Sequence, residues 1–191
     1  MLLRLEGLRP RIESYVPHLM AGAARHAAVA LILRESPELE VMLIRRTERP
    51  SDPWSGHIAF PGGRREERDA HLLETAVRET REEIALDLER QAAFAGRLDD
   101  QVAYARGARL DMAISPFVFT LSGSPELVLS DEVAEVIWAP LGPMVSGEVD
   151  TSLQHEINGV AVTLPGFRIG AHTVWGLTHR MLANLFDLGV R

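Results

Sequence analysis

Phe60-Pro61-Gly62-Gly63, followed fifteen residues after Gly63 by Arg78-Glu79-Thr80-Arg81-Glu82-Glu83, is the stretch whose reading decides the fold. On a helix each residue advances about 100°, so Glu79, Glu82 and Glu83 share roughly one third of the circumference. Three like charges held that close repel one another and raise each other's pKa unless a cation sits among them. Hard oxygen donors in a cluster suit Mg²⁺ or Mn²⁺, and those ions suit phosphate oxygens. The glycine turn leaves backbone free to approach a ligand. A metal-dependent site for a phosphorylated substrate is the expectation.

Taken alone, a glutamate-rich run is a solvated helix face stitched by i,i+4 pairs. Its company argues otherwise. Leu73, Ala76, Val77, Thr80 and Ile84 recur at helical spacing, and the acidic stripe is rotated well away from them. One face anchors the helix while another presents carboxylates.

The segment Gly63-Arg64-Arg65-Glu66-Glu67-Arg68-Asp69, with Arg78-Glu79-Thr80-Arg81-Glu82-Glu83-Ile84-Ala85-Leu86, resembles the Nudix box. That pattern is G-x5-E-x7-R-E-U-x-E-E-x-G-U, where U is a bulky apolar residue. Here the stretch before Arg78 is one residue longer, Asp69 stands at the early Glu, Thr80 at a U and Ala85 at the late Gly. The extra residue and the Asp resemble the branch that contains coenzyme A diphosphatases. Upstream, Val41-Met42-Leu43-Ile44-Arg45-Arg46 and Ser55-Gly56-His57-Ile58-Ala59-Phe60-Pro61-Gly62-Gly63 are similar to that branch's signature. Asp52 and Trp54 stand where its Arg and His are expected, and Trp175-Gly176-Leu177-Thr178 also looks like this branch.

The resemblance implies an α/β/α sandwich with a mixed central sheet and the box helix carrying the metal site. It implies metal ligation by Glu79 and Glu83, with Glu82 as a third ligand or holding a metal-bound water, and with the Gly62 carbonyl joining them. Arg78 would pair with Glu82 or Glu83 as an orienting group. A carboxylate from outside the box, Glu132 or Glu135, or a box glutamate, would be the general base. The implied substrate is coenzyme A or an acyl-CoA, cleaved to phosphopantetheine and adenosine bisphosphate. An ADP-ribose-like or dinucleotide substrate is the alternative, and a non-catalytic nucleotide sensor a third reading. The intact Arg78, Glu79, Glu82 and Glu83 argue against a pure binder. Isopentenyl diphosphate isomerases, also of this fold, require a catalytic cysteine, which this chain lacks.

Among other residues, Arg45 and Arg46 are candidates for substrate phosphates, and strand alternation would turn one of them inward. Arg64 is a further candidate for substrate binding. Trp54 either stacks on a base or closes a loop. His57 is expected as a structural hydrogen-bonder, Trp175 in the core, and Glu66 and Asp69 as caps of the box helix. Asp99 and Asp100 are expected in a turn.

Composition sets the limits. With 191 residues, 46% hydrophobic and 25% charged, the chain is an ordinary globular one. A net charge of −7 argues against a nucleic-acid polymer or an anionic membrane as partner. A small nucleotide stays feasible through a metal and local arginines. Zero cysteines exclude disulfides, thiolate zinc and cysteine nucleophiles. No apolar run of about 20 residues occurs, and the charged N-terminus does not read as a signal segment, so a cytoplasmic protein is the simplest expectation. A homodimer is left open.

Residues 1–24 read as a helical lead-in limited by Pro10 and Pro17, and 25–191 as one domain. Strands are expected at 27–33, 41–46, 57–60, 93–98, 112–121, 133–139 and 172–175, and a hairpin over 151–170 turning at Asn158-Gly159. Helices are expected at 69–85 and 177–188, with a helical turn at 140–145.

Overall fold

The computed structural model describes residues 3–50, 54–105, 108–157 and 159–189. Its centre is β1 (Arg25–Glu35), whose run Ala-Val-Ala-Leu-Ile-Leu is apolar on both faces. Such a strand is stable only if covered twice. It runs parallel to β7 (Ala108–Leu121) and antiparallel to β2 (Leu39–Arg46). Ala28, Ala30 and Ile32 pack with Met42 and Ile44 under α2 (Leu72–Ile84), through Ala76 and Ile84. Leu31 and Leu33 pack with Val41 and Leu43 against the opposite layer, α1 (Leu5–Ser14) and α5 (Gly176–Asp187). That makes an α/β/α sandwich around a mixed sheet.

β5 (Ala92–Arg97) and β6 (Gln101–Ala105) both pair antiparallel with β7. β3 (Ile58–Ala59) and β8 (Val133–Pro140) pair with β2. β4 (Gly62–Arg64) pairs with β1. The decisive feature is where β1 and β2 part. They pair only from Leu33↔Val41 to Glu35↔Leu39. Beyond that β4 takes the flank of β1 from Val29↔Gly62 to Ala27↔Arg64, while β3 takes the flank of β2. The Phe60-Pro61 link crosses between them, its Pro61 carbonyl accepting the Ala30 N–H at 2.8 Å. The gap so opened becomes the cavity described below.

α3 (Leu88–Gln91) and α4 (Leu141–Ser146) are short turns. A second sheet of three strands, β9 (Asp150–Ile157), β10 (Val160–Ile169) and β11 (His172–Trp175), forms its own ladder. The expected hairpin is therefore present, though Asn158 lies outside the described residues. No helix among the described residues is long and apolar enough to cross a membrane.

Three expectations are corrected. The box helix begins at Leu72 rather than at 69, with His71 accepting the Glu74 N–H as its N-cap. Asp69 is drawn away from capping by the half-buried Arg78, and Glu66 likewise stays outside the helix. Asp99 and Asp100 tie down the N-terminal segment: Asp99 accepts from the Tyr15 hydroxyl at 2.8 Å and the His18 N–H at 2.7 Å, and Asp100 from the Met20 N–H at 2.8 Å. α1 itself tolerates Pro10 and buries Leu8 and Ile12 in the main core.

Candidate active site

Gly62 and Gly63 sit on β4 because nothing larger fits there. A Cβ at Gly62, whose φ is +150°, would strike the Ala28 carbonyl oxygen and Val29; one at Gly63 would press on the Glu79 carboxyl. The two glycines thus let β4 lie against β1 on one side and the box helix on the other. Glu83, 3% exposed, accepts the Gly62 N–H at 2.8 Å. Its own carbonyl accepts the Ser130 N–H at 2.9 Å, which moors the 126–132 segment to the end of α2.

Burial pushes the Glu83 carboxyl up to about 8, against the pull of the Gly62 N–H, with the charge of Glu79 adding to the rise. Burial raises Glu79 as well, opposed by Arg78. Arg78 is the organiser. Its Nε and Nη2 grip both oxygens of Asp69, each at 2.9 Å, and Nη1 donates to Glu79 at 2.9 Å and Glu82 at 3.0 Å. Nη2 also donates to the Arg64 carbonyl at 3.0 Å. The expected pairing of Arg78 with Glu82 is present, and Asp69 and Glu79 join it as partners. Glu82 is exposed and held by Arg68 at 3.0 Å as well.

These groups face a cavity of about 1180 Å³. Gly62, Glu79, Glu82 and Glu83 line it together with Arg46, Trp54, Arg64 and Glu132. Arg78 stands behind the wall. Arg45 does not reach the cavity: strand alternation turns it to Glu135, 3.4 Å away, and Glu135 is shared with His172 at 3.2 Å. Arg45 and Glu135 are thus corrected to a bridge between the two sheets. Trp175 is corrected from core to cavity wall, its ring 4.8 Å from His57 and 4.9 Å from His155. Trp54 lines the cavity and donates its indole N–H to the Tyr104 carbonyl at 3.2 Å. Asp52 lies outside the described residues.

Sequence reasoning missed Arg49, which pairs with Asp131 at 2.9 Å and Glu132 at 3.3 Å on the cavity rim. It also missed His155, Ile157 and Leu164. Arg49 carried no signal in a proline-rich loop. The alternation of β9 did carry one, had its inner face been asked what it covers.

Among the described residues no three His, Asp or Glu side chains form a ready-made ion cage, since Arg78 and the Gly62 N–H engage the box carboxylates. The donor set nevertheless fits a hard divalent ion. It is all oxygen, Glu83 is buried and Glu79 half-buried, both partly desolvated, and Gly63 keeps the space beside Glu79 free of a Cβ.

A family model described as the NUDIX domain matches residues 24–152. An uncharacterized protein of Schizosaccharomyces pombe is 32% identical over 94% of this chain and 60% of its own length. The human mitochondrial coenzyme A diphosphatase NUDT8 is 31% identical over 84% of this chain and 70% of its own length. The chain therefore spans well under the full length of the yeast relative. A MutT/nudix family protein from Enterococcus faecalis superposes with a TM-score of 0.56 at 18% identity, over 97% of this chain and 68% of that one.

Proposed function

Because the chain belongs to the NUDIX family of hydrolases, we propose that it is a divalent-metal-dependent diphosphatase that cleaves coenzyme A or an acyl-CoA to the phosphopantetheine and adenosine bisphosphate halves. The observation that carries this reading is the meeting of Glu79, Glu82, Glu83 and the Gly62-Gly63 backbone on one wall of a cavity of about 1180 Å³. That volume lies above the roughly 300–1,000 Å³ of common small-molecule sites, as a long two-part substrate requires. The name of the human relative supports coenzyme A specifically.

In this reading Glu79, Glu83, the Gly62 carbonyl and Glu82 hold Mg²⁺ or Mn²⁺. Such an ion, when bound, polarises a phosphoryl oxygen and acidifies a water for in-line attack on phosphorus. The remaining work belongs to the chain. Arg78, clamped by buried Asp69, fixes the directions of Glu79 and Glu82. The Gly62 N–H and the Ser130 contact fix Glu83. Arg46, Arg49 and Arg64 on the cavity wall offset the negative charge of the chain where phosphates enter. Glu132, held at 3.3 Å by Arg49, takes up the proton of the attacking water.

The test is mass-spectrometric product analysis with Mg²⁺ or Mn²⁺ over coenzyme A, acetyl-CoA, ADP-ribose, NADH and diadenosine polyphosphates. Wild type is expected to release phosphopantetheine from coenzyme A. Glu83→Gln is expected to slow it by roughly a thousandfold, the scale of losing a group that stabilises transition-state charge. Cleavage of ADP-ribose or a dinucleotide alone would retain the hydrolase and remove the coenzyme A assignment.

A further inference from the structure

The cavity wall is chemically mixed: the box carboxylates and several arginines contribute to it, and so does the β9–β10 ribbon. Along β9, Leu153, His155 and Ile157 are half-buried while Ser152, Gln154 and Glu156 between them face solvent. Across the ladder, Val162 stands opposite His155 and Leu164 opposite Leu153, both half-buried. One face of the ribbon is therefore apolar and the other polar.

What the apolar face covers is unusual. Leu153, Ile157, Val162 and Leu164 belong to neither core cluster of the main sheet. His155, Ile157 and Leu164 instead line the cavity, and His155 meets Trp175 at 4.9 Å. Apolar side chains that are shielded, yet pack in no core, mark a ligand wall. The polar outer face of the ribbon offers little to a protein partner. The same cavity also carries Glu79 and Glu83 on its wall, so a single extended occupant can touch both the ribbon and the carboxylates.

We propose that the inner face of the β9–β10 ribbon is a subsite for the acyl chain of an acyl-CoA, making acyl-CoA the preferred substrate over free coenzyme A. This rests on the diphosphatase reading given above. The thioester end of the substrate needs no charge complement, and a hydrocarbon chain has no hydrogen bonds to leave unmet; both suit a wall of Ile, Leu and Trp. Burial of methylenes yields roughly tenfold in affinity for every two removed from water.

The experiment compares kcat/KM for free, acetyl-, octanoyl- and palmitoyl-CoA on one preparation, so that each ratio is independent of the active fraction. Binding is read in parallel by tryptophan fluorescence in EDTA, where turnover is stopped. Wild type is expected to favour octanoyl-CoA over coenzyme A by at least about tenfold in both readouts. The double substitution Ile157→Gln with Leu164→Gln is expected to bring both ratios to near one, and Ile157→Leu to retain them. A wild-type ratio near one, or a ratio that the glutamine pair leaves intact, overturns the subsite while the diphosphatase stands. Absence of any cleavage of coenzyme A or its thioesters overturns the diphosphatase reading, and the subsite with it.

Discussion

Asp69, 4% exposed, receives the Arg78 Nε and Nη2, the Thr75 hydroxyl at 2.9 Å and the Glu66 N–H at 2.9 Å. The Arg78 guanidinium holds its carboxyl well below the usual carboxylate range. Sequence reasoning assigned Asp69 to a cap, worth about 1 kcal/mol. Breaking a buried pair by removing one partner costs about 3–5 kcal/mol, so the guanidinium wins and the helix starts three residues later. Asp69→Asn is expected to lower unfolding free energy by about 3 kcal/mol at pH 7, measured by urea titration. A carboxyl whose folded pKa is depressed contributes stability present above its unfolded value, about 3.9, and lost as pH falls towards the folded one. The variant should therefore show a shallower loss of stability below about pH 5 than wild type. Parallel slopes would refute the assignment.

The box helix ends on Ala85, at φ 57°, with its N–H on the Arg81 carbonyl. That left-handed turn is where a glycine is expected by the resemblance, and alanine pays steric strain there of about 1 kcal/mol. Ala85 is exposed, so no cavity results from trimming it. Ala85→Gly trades that strain against roughly 0.5–1 kcal/mol of glycine entropy, so it is expected to stabilise by up to about 0.5 kcal/mol, a rise in Tm of about 1–2 °C. An unchanged or lower Tm by calorimetry would show the strain to be absent. Elements with a strong period were legible: β11 lies at the expected 172–175, and β1, β2, β7, β8 and α5 lie within a few residues of expectation. β4, β6 and α3 were not. β4 is two glycines and an arginine, without a pattern to see, and it exists because the backbone of β1 has an unpaired flank. β6 owes its place to the length of β7, and α3 is a single turn.

At the scale of the whole molecule, the parting of β1 from β2 was not legible, because it depends on which strands compete for one flank rather than on any residue's preference. The carboxylates and the pairing of Arg78 with Glu82 were legible from spacing; the grip of Asp69 on Arg78 and of the Gly62 N–H on Glu83 was not, being set by how the segment before the helix folds back on it. If these carboxylates bind a divalent ion, the ion binds the folded state alone and stabilises it by about 2.7 kcal/mol at a hundredfold excess over Kd. Mg²⁺ or Mn²⁺ is thus expected to raise Tm by about 5–10 °C over EDTA, and Glu83→Gln to abolish most of that rise. Equal shifts in both proteins by differential scanning fluorimetry would place the ion elsewhere. The three-stranded sheet has a different consequence. Among the described residues it shares no strand pairing with the main sheet, and it falls almost wholly after residue 152, where the family match ends. Apart from Phe167, which is buried in the main core, the hairpin can take mutations without unzipping the body of the protein, so descent can redraw one side of the chamber while inheriting the other unchanged.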